Sequence, residues 1–177
     1  MSRISIRAAD IGDSRAIAEL AVLVWNDAYR AFLSPEALAT ITPDRRGPLI
    51  MASILAGEIW RIALDSNHAI IGFVHAKPDQ RWADWHLGAI YIHPRWQRKG
   101  VGTKLMLAVV DELGRRSGRS LSLRVFAANH AAKQFYTKHG ARLVAAELSA
   151  IGDERHSTEI LLFDSLAKLK KSLAASE

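Results

Sequence analysis

The chain has 177 residues, of which 49% are hydrophobic and 24% are charged, and its formal net charge is +6. This length suffices for one well-buried core and is short for two, so we expect a single domain spanning residues 1–177. The sequence has no cysteine, which excludes disulfides, cysteine-based metal sites and any acyl group carried on an enzyme thiol.

The N-terminal and apolar segments bear on where the protein acts. Residues 1–7 alternate as in a first strand, and the apolar region of a signal peptide does not follow them. The longest apolar stretch, residues 17–25, contains Glu19 and is too short to span a bilayer. We therefore expect a cytoplasmic protein that binds no membrane. The seven histidines lack the spacing of metal ligands, so we also expect no metal.

The first half of the chain predicts one strand, three helices and a pair of strands. Asp13 or Ser14 is placed to cap a first helix after the strand at residues 4–7. Ser34-Pro35 is a helix-start signal, and Thr42-Pro43 ends that second helix before a third over residues 44–56. Residues 58–64 and 69–76 read as paired strands around a turn at 66–68, and residues 77–83 read as a polar loop.

The second half predicts strands and helices in alternation, which indicates an α+β fold. A strand runs to His93, a helix follows from Thr103, and a further strand covers residues 120–126. Another helix follows Asn129, and two last strands lie near residues 141–150 and 157–163. The tail, residues 165–177, is either a short helix or frayed.

The most informative segment is Gln-Arg-Lys-Gly-Val-Gly at residues 97–102, between a predicted strand and a predicted helix. Glycines let the backbone come close to a ligand, and the first N–H groups of a helix point outward unpaired. Arg98 and Lys99 add positive charge. The segment therefore predicts a phosphate site, although neither a P-loop nor a dinucleotide fingerprint fits it.

A second block begins at Asn129, a good helix N-cap, and ends at Gly140, where a helix C-cap is expected. Ala132, Phe135 and Tyr136 lie on one face between them. Gln-x-x-Gly-x-Gly after a strand ending in His-Pro, followed by Asn-x-x-Ala-x-x-Phe-Tyr-x-x-x-Gly, resembles the two signature blocks of the GCN5-related N-acetyltransferase (GNAT) superfamily. The resemblance extends over nearly the whole chain.

The resemblance implies a mixed, mostly antiparallel sheet of about seven strands, flanked by helices and splayed at its central strands. It also implies acetyl-CoA as co-substrate, with the pyrophosphate in the glycine loop. The residues that it assigns to acetyl-CoA binding are Ile90, Tyr91, Ile92, Gln97, Arg98, Lys99, Gly100, Val101, Gly102, Thr103, Asn129, Lys133 and Phe135.

The basic residues support this assignment by their position in the sequence. Residues 95–124 contain eight cations and two acids, which account for the whole formal excess of +6. CoA carries roughly four negative charges, which such a segment would attract. The alternatives are a solvated helix end and a nucleic-acid patch, but Trp96 is the one aromatic residue near enough to serve such a patch.

Acetyl transfer to an amine needs a base, because an alkyl amine with a pKa of about 10.4 is almost wholly protonated at pH 7. The superfamily usually supplies a carboxylate on the central strand, and the matching position here holds His86. Imidazole, with a reference pKa of about 6.5, is suited to this role, although His86 could instead only pack on the strand. Asp84, two residues earlier on the same strand face, is the alternative base or the partner that orients His86.

Two further roles follow from the resemblance. Tyr136 matches the tyrosine that hydrogen-bonds the CoA sulfur and can protonate it; a core tyrosine packed beside Phe135 is the alternative. A backbone N–H at a bulge in the central strand, near Tyr91 or Ile92, would polarise the acetyl carbonyl. Gly88 is consistent with a bulge but does not locate it.

The acceptor pocket is the least determined part. Trp25 and Tyr29 share one helix face, Phe32 follows, and the resemblance puts this region over the acceptor; the same pattern also suits core residues. Trp82 and Trp85 could wall the other side. With Asp84, such a pocket would suit an apolar or cationic amine.

The leading hypothesis is an N-acetyltransferase in which a small-molecule amine attacks acetyl-CoA directly in a ternary complex. Acetylation of a protein N-terminus or lysine, a catalytically silent acyl-CoA-binding module and a nucleic-acid binder are the alternatives. Relatives in the superfamily are often dimers, so a homodimer through the last two strands or the tail stays open.

Overall fold

The computed structural model describes residues 4–79 and 81–176. Residues 1–3 of the predicted first strand, Gln80 of the predicted loop and Glu177 of the tail lie outside this range. The strands are β1 (Ser5–Ala8), β2 (Ile59–Leu64), β3 (Ile70–Pro78), β4 (Trp85–Ile92), β5 (Leu121–Phe126), β6 (Arg142–Ile151) and β7 (Glu154–Phe163). The helices are α1 (Ser14–Tyr29), α2 (Pro35–Ala39), α3 (Pro43–Leu55), α4 (Val101–Arg115), α5 (His130–Lys138) and α6 (Leu166–Ala174).

The seven strands form one sheet in the order β1-β2-β3-β4-β5-β7-β6. Every neighbouring pair is antiparallel except β4 and β5, which are parallel. Helices α4 and α6 cover one face of the sheet, and α1 and α3 cover the β2–β3 part of the other. The predicted α+β class and the mixed, mostly antiparallel sheet are confirmed.

Hydrogen bonds from capping side chains mark where several helices begin. The hydroxyl of Ser34 accepts the backbone N–H of Ala37 at the start of α2, and Thr42 accepts that of Arg45 at the start of α3. Asp13 occupies the N-cap position of α1, but its carboxylate accepts no hydrogen bond from the first turn of the helix, because it instead binds Arg7 and the backbone N–H of Asp10. The cap prediction is therefore right in position and wrong in mechanism.

The tail forms a helix rather than a frayed end. Ser165 caps α6, and Leu166, Leu169 and Leu173 bury their side chains against α4. Strand β6, one of the two predicted dimer interfaces, is an edge strand of the sheet, and Leu148 on it is 67% exposed. Among the described helices, none combines the length and apolar character needed to cross a membrane.

The central strands separate partway along their length. Trp85–Leu87 of β4 pairs with Leu121–Leu123 of β5, and the ladder covers no residue beyond these. The predicted splay is thus present, and it opens a gap between the C-terminal parts of two parallel strands. Such a gap exposes backbone and side chains of both strands to a ligand.

A bulge lies just before this gap. His75 of β3 pairs with Ala89, and Ala76 pairs with Leu87, so Gly88 is the extra residue on β4. The bulge is therefore at Gly88, and the prediction near Tyr91 or Ile92 is wrong. The reason is tertiary: the register is set by pairing with β3, and a Cβ at Gly88 would lie 2.4 Å from Nδ1 of His75, so the histidine ring would have to move for another residue to stand there.

The environment of His75 predicts what a side chain at Gly88 would do. The His75 ring stacks on Trp60, with centroids 4.2 Å apart, and its Nε2 lies 2.6 Å from the Glu58 carboxylate. Gly88→Ala should displace this ring and lower the free energy of unfolding by about 1–3 kcal/mol, measured by urea denaturation.

A glycine in open space provides the control for this substitution. Gly114 lies in α4, and a Cβ there would meet no atom within 4 Å. Gly114→Ala should therefore stabilise the protein by about 0.5–1 kcal/mol. Equal effects of the two substitutions would contradict the packing of His75 against Gly88.

Candidate active site

A cavity of about 900 Å³ fills the gap between β4 and β5. Its walls are the C-terminal halves of these two strands, the end of α1, the start of α4, α5 and residues 149–151 of β6. The bulge at Gly88 puts His86 and Tyr91 toward the α1 side, while Leu87 and Ile90 pack toward α4. The cavity therefore combines a helix N-terminus with titratable side chains.

The glycine loop forms the expected cradle at the start of α4. Gly100 is the N-cap residue with φ +78°, and no side chain caps the first turn of the helix. Gln97 donates from Nε2 to the carbonyl oxygen of Ile92 over 3.2 Å, which ties the loop to the end of β4. Unpaired first-turn N–H groups beside Arg98 suit a phosphate.

Most residues predicted to bind acetyl-CoA line this cavity. They are Ile90, Tyr91, Ile92, Gln97, Arg98, Gly100, Gly102, Thr103, Asn129 and Phe135. The cradle, the open gap and the basic side chain together fit an elongated ligand with phosphates at one end.

Three of the predicted acetyl-CoA residues are not among the cavity lining. Val101 is buried in the core under α4. Lys99 lies over the Trp96 ring, 5.3 Å from its centroid. Lys133 donates from Nζ to the Glu159 carboxylate over 2.7 Å. The three side chains therefore make other contacts in this structure: core packing for Val101, a cation–π contact for Lys99 and an ion pair for Lys133.

The basic segment is divided in space. Arg98 lines the cavity, but Arg115 and Arg116 lie at the far end of α4, about 20 Å away by helix geometry. Both bind the carboxylate of Glu112, whose pKa they lower. Arg115 and Arg116 are therefore helix-end charge, as the alternative interpretation of this segment held.

His86 lines the cavity and is held from the neighbouring strand. Its Nδ1 lies 2.8 Å from Oγ of Ser122, and that hydroxyl donates to the carboxylate of Asp79. Ser122 is fully buried, and Asp79 follows the end of β3. Burial lowers the pKa of His86 below its ordinary value, and the Asp79 carboxylate offsets only part of this shift.

The structure ties Asp84 to backbone groups rather than to His86. Its carboxylate accepts the backbone N–H groups of Arg119 and Ser120, over 2.7 and 3.3 Å, and it is not among the residues lining the cavity. Asp84 anchors the loop after β3 to the start of β5. Among the described residues, Asp79 is the carboxylate that reaches His86 through Ser122.

Tyr136 lies on α5 with its side chain toward the cavity. Burial raises the pKa of its phenol above the ordinary value, so the group stays protonated at neutral pH. Asn129 caps α5 by accepting the backbone N–H of Ala132, and its amide also lies 3.5 Å from the Tyr29 hydroxyl. The cap interpretation of Asn129 is confirmed, and the same residue lines the cavity.

Aromatic rings close the other end of the cavity. Trp25 and Tyr29 line it, and both pack against Phe126 of β5, with ring centroids 6.0 and 5.0 Å from that ring. Phe32 packs behind Tyr29 and His156 and is not among the lining residues. Trp25 and Tyr29 therefore belong both to the core and to the cavity wall.

Sequence reasoning missed the contribution of β5. In Leu-Ser-Leu-Arg-Val-Phe, Ser122, Arg124 and Phe126 share the face toward the cavity side, and Arg124 lines the cavity. Two polar residues at alternate positions of a central apolar strand are a signal for such a face. Asp27 of α1 also lines the cavity, and nothing in its surrounding sequence marks it.

No group of three or more metal-ligating side chains occurs within residues 4–79 and 81–176.

Comparisons with known proteins agree with this geometry. The model of the acetyltransferase (GNAT) family matches residues 25–141. A comparison with curated proteins finds no match.

Solved structures share the fold. The PaiA N-acetyltransferase of Thermoplasma acidophilum, in complex with coenzyme A, is 20% identical with a TM-score of 0.75, covering 88% of this chain and 98% of that one. A GCN5-related N-acetyltransferase from Rhodopseudomonas palustris is 23% identical with a TM-score of 0.74, covering 93% and 97%. The YncA protein of Salmonella typhimurium, solved with acetyl-CoA, is 20% identical with a TM-score of 0.70, covering 92% and 94%. At these identities the likeness is one of fold.

Proposed function

The chain belongs to the GNAT family of acetyltransferases, and we propose that it moves the acetyl group of acetyl-CoA directly to a small-molecule amine bound beside it. The observation that carries this proposal is one cavity that joins an uncapped helix N-terminus, His86 and Tyr136. The coenzyme A and acetyl-CoA in two neighbours of the same fold support it. We take residues 1–177 as one acyltransferase domain.

In this mechanism the amine nitrogen attacks the thioester carbonyl carbon, and the carbon–sulfur bond breaks. His86 accepts the proton that the nitrogen loses and later releases it to solvent. Backbone N–H groups at the bulge around Gly88 lie beside the cavity and would polarise the carbonyl. The absence of cysteine agrees with direct transfer.

Tyr136 acts on the leaving sulfur as a hydrogen-bond donor. A phenol with a raised pKa is a weaker acid than a thiol, whose reference pKa is about 8.5. Tyr136 therefore keeps its proton and stabilises the thiolate, which takes up a proton afterwards. In this proposal Tyr136 donates a hydrogen bond to the CoA sulfur and does not transfer its proton to it.

The charges near His86 favour an acceptor that carries a carboxylate. The Glu147 carboxylate is shared by Arg124 and Arg81, over 2.8 and 2.9 Å, so these two arginines have one carboxylate between them. Arg124 is 48% exposed and lies two residues beyond Ser122 on the same face of β5, about 7 Å along the strand. An α-amino acid with its amine at His86 would bring its carboxylate toward Arg124.

Matched acceptors test this choice. We expect phenylalanine to be acetylated with a KM at least about tenfold lower than phenethylamine, which lacks the carboxylate, because a charge-assisted hydrogen bond contributes about 1.5–3 kcal/mol. The assay follows thiol release from acetyl-CoA, and the missing cysteines keep its background low. Arg124→Gln should remove the preference.

The control for this test is Arg142→Gln, which removes an arginine paired with Asp164 near the edge of the sheet. It should leave the preference unchanged. A wild-type preference for phenethylamine would contradict the carboxylate hypothesis while supporting small-molecule acetyl transfer. Acetyl-CoA binding without thiol release for any amine or peptide would support the silent binding module instead.

A further inference from the structure

We propose that Asp79 and Ser122 fix the protonation state of the His86 ring, so that Nδ1 carries the hydrogen and Nε2 presents its lone pair to the cavity. The catalytic part of this proposal rests on the role of His86 in the proposed function. The assignment of the ring hydrogen rests on the hydrogen bonds that join Asp79, Ser122 and His86.

The chain of hydrogen bonds to His86 begins at Asp79. An ionised carboxylate only accepts hydrogen bonds. Burial opposes ionisation of Asp79, but hydrogen bonds from Ser122 and from the backbone N–H groups of Arg81 and Trp82 keep the pKa of its carboxyl below the ordinary value. The Ser122 hydroxyl must therefore donate its single hydrogen to Asp79.

The same hydroxyl then determines the hydrogen on His86. Oγ of Ser122 has no second hydrogen to give, so at 2.8 Å it can only accept from Nδ1 of His86. A histidine ring with its hydrogen on Nδ1 has a free lone pair on Nε2. Because Ser122 is fully buried, water does not compete for these hydrogen bonds.

This arrangement suits a base that works repeatedly. When Nε2 accepts a proton from the amine, the ring becomes positively charged while its Nδ1 hydrogen bond stays in place. The Asp79 carboxylate stabilises that charge through the Ser122 hydroxyl, and no proton needs to move along the chain. Asp79 and Ser122 are thus positioning residues, since His86 lies between them and the cavity.

The charges around His86 set the direction of its titration. Burial lowers its pKa, and Lys77 and His75 from β3 and Arg124 from β5 act in the same direction. Asp79, from the loop after β3, is the group that raises it. Replacing this carboxylate should therefore lower the pKa of His86 further.

The test is ¹⁵N NMR of the full chain with labelled histidine, with the His86 signals identified by their loss in His86→Gln. Above the pKa of His86, the wild-type ring should carry its hydrogen on Nδ1. Ser122→Thr should retain that state, and Ser122→Ala should lose it. Asp79→Asn should move the titration of His86 to lower pH, and Asp84→Asn, in the same loop, should leave both the ring hydrogen and the titration as in wild type.

Kinetics give the second readout. Ser122→Ala should lower kcat by roughly tenfold and Ser122→Thr should restore most of it, while Asp79→Asn should move the acid limb of the pH–rate profile to lower pH. A hydrogen on Nε2 in the wild type, or an unchanged ring in Ser122→Ala, would overturn the proposal. If Ser122→Ala does not fold, the ring state in the wild-type spectrum and the His86 titration in Asp79→Asn test the proposal. Correct NMR states with full activity in His86→Gln would overturn the base role alone.

Discussion

Replacing His86 by glutamine should lower kcat by about 100-fold or more, because general-base catalysis contributes roughly 10²–10⁴ in rate. The wild-type rate should fall as the pH drops through the pKa of His86, since only the neutral ring accepts a proton. Burial lowers that pKa, so the acid limb should lie below the ordinary histidine value. His86→Gln should lack this limb, as measured by kcat/KM over a range of pH.

The controls separate catalysis from folding. Acetyl-CoA affinity, measured by calorimetry, should change little in His86→Gln, because His86 lies at the start of β4 and the phosphate cradle follows the end of that strand. His68→Asn, in the turn between β2 and β3, removes a histidine whose φ of +62° asparagine tolerates. It should keep the wild-type profile. An acid limb that persists in His86→Gln would assign the limb to another group.

Replacing Tyr136 by phenylalanine should lower kcat by about 100-fold, the scale of losing one preorganised hydrogen-bond donor to a developing anion. The loss should appear in the chemical step, because the hydroxyl meets its partner only as the carbon–sulfur bond breaks. Single-turnover measurement of acetyl transfer checks this. Because burial raises the pKa of Tyr136, its ionisation should cause no loss of activity up to about pH 10.

Binding again supplies the control for Tyr136→Phe. The ring packs against Phe135 and Phe163, and phenylalanine preserves that packing. Coenzyme A affinity and the free energy of unfolding should therefore stay near wild type. Turnover at the wild-type level would show that water or another group stabilises the thiolate.

Features encoded by neighbouring residues were predictable from the sequence. The cradle needs only Gly100 in a left-handed conformation and the helix that follows it, and the cap of α5 needs only Asn129 and the first turn. Both blocks consequently lie in the cavity where they were expected. Helix starts at Ser34 and Thr42 follow from the same local hydrogen bonds.

Features that depend on strand register were not predictable in this way. The bulge lies at Gly88, where His75, thirteen residues earlier on β3, occupies the space that a side chain would need. Asp84 would share a strand face with His86 only if β4 included residue 84. The strand begins at Trp85, and Asp84 belongs to the preceding loop. The basic residues of segment 95–124 are close together in the sequence, but helix α4 separates them in space.

The sequence by itself determined the family, and it predicted the anion cradle and the candidate roles of His86 and Tyr136, because each is read from residues within one strand, loop or helix. The tertiary structure decided how His86 is held and what lies beside it. Ser122 and Asp79 are 43 residues apart, and Arg124 and Glu147 are 23 apart. Such pairs meet only when β3, β4, β5 and β6 take their places in one sheet, since side chains on the same face of a sheet become neighbours through strand pairing rather than through sequence.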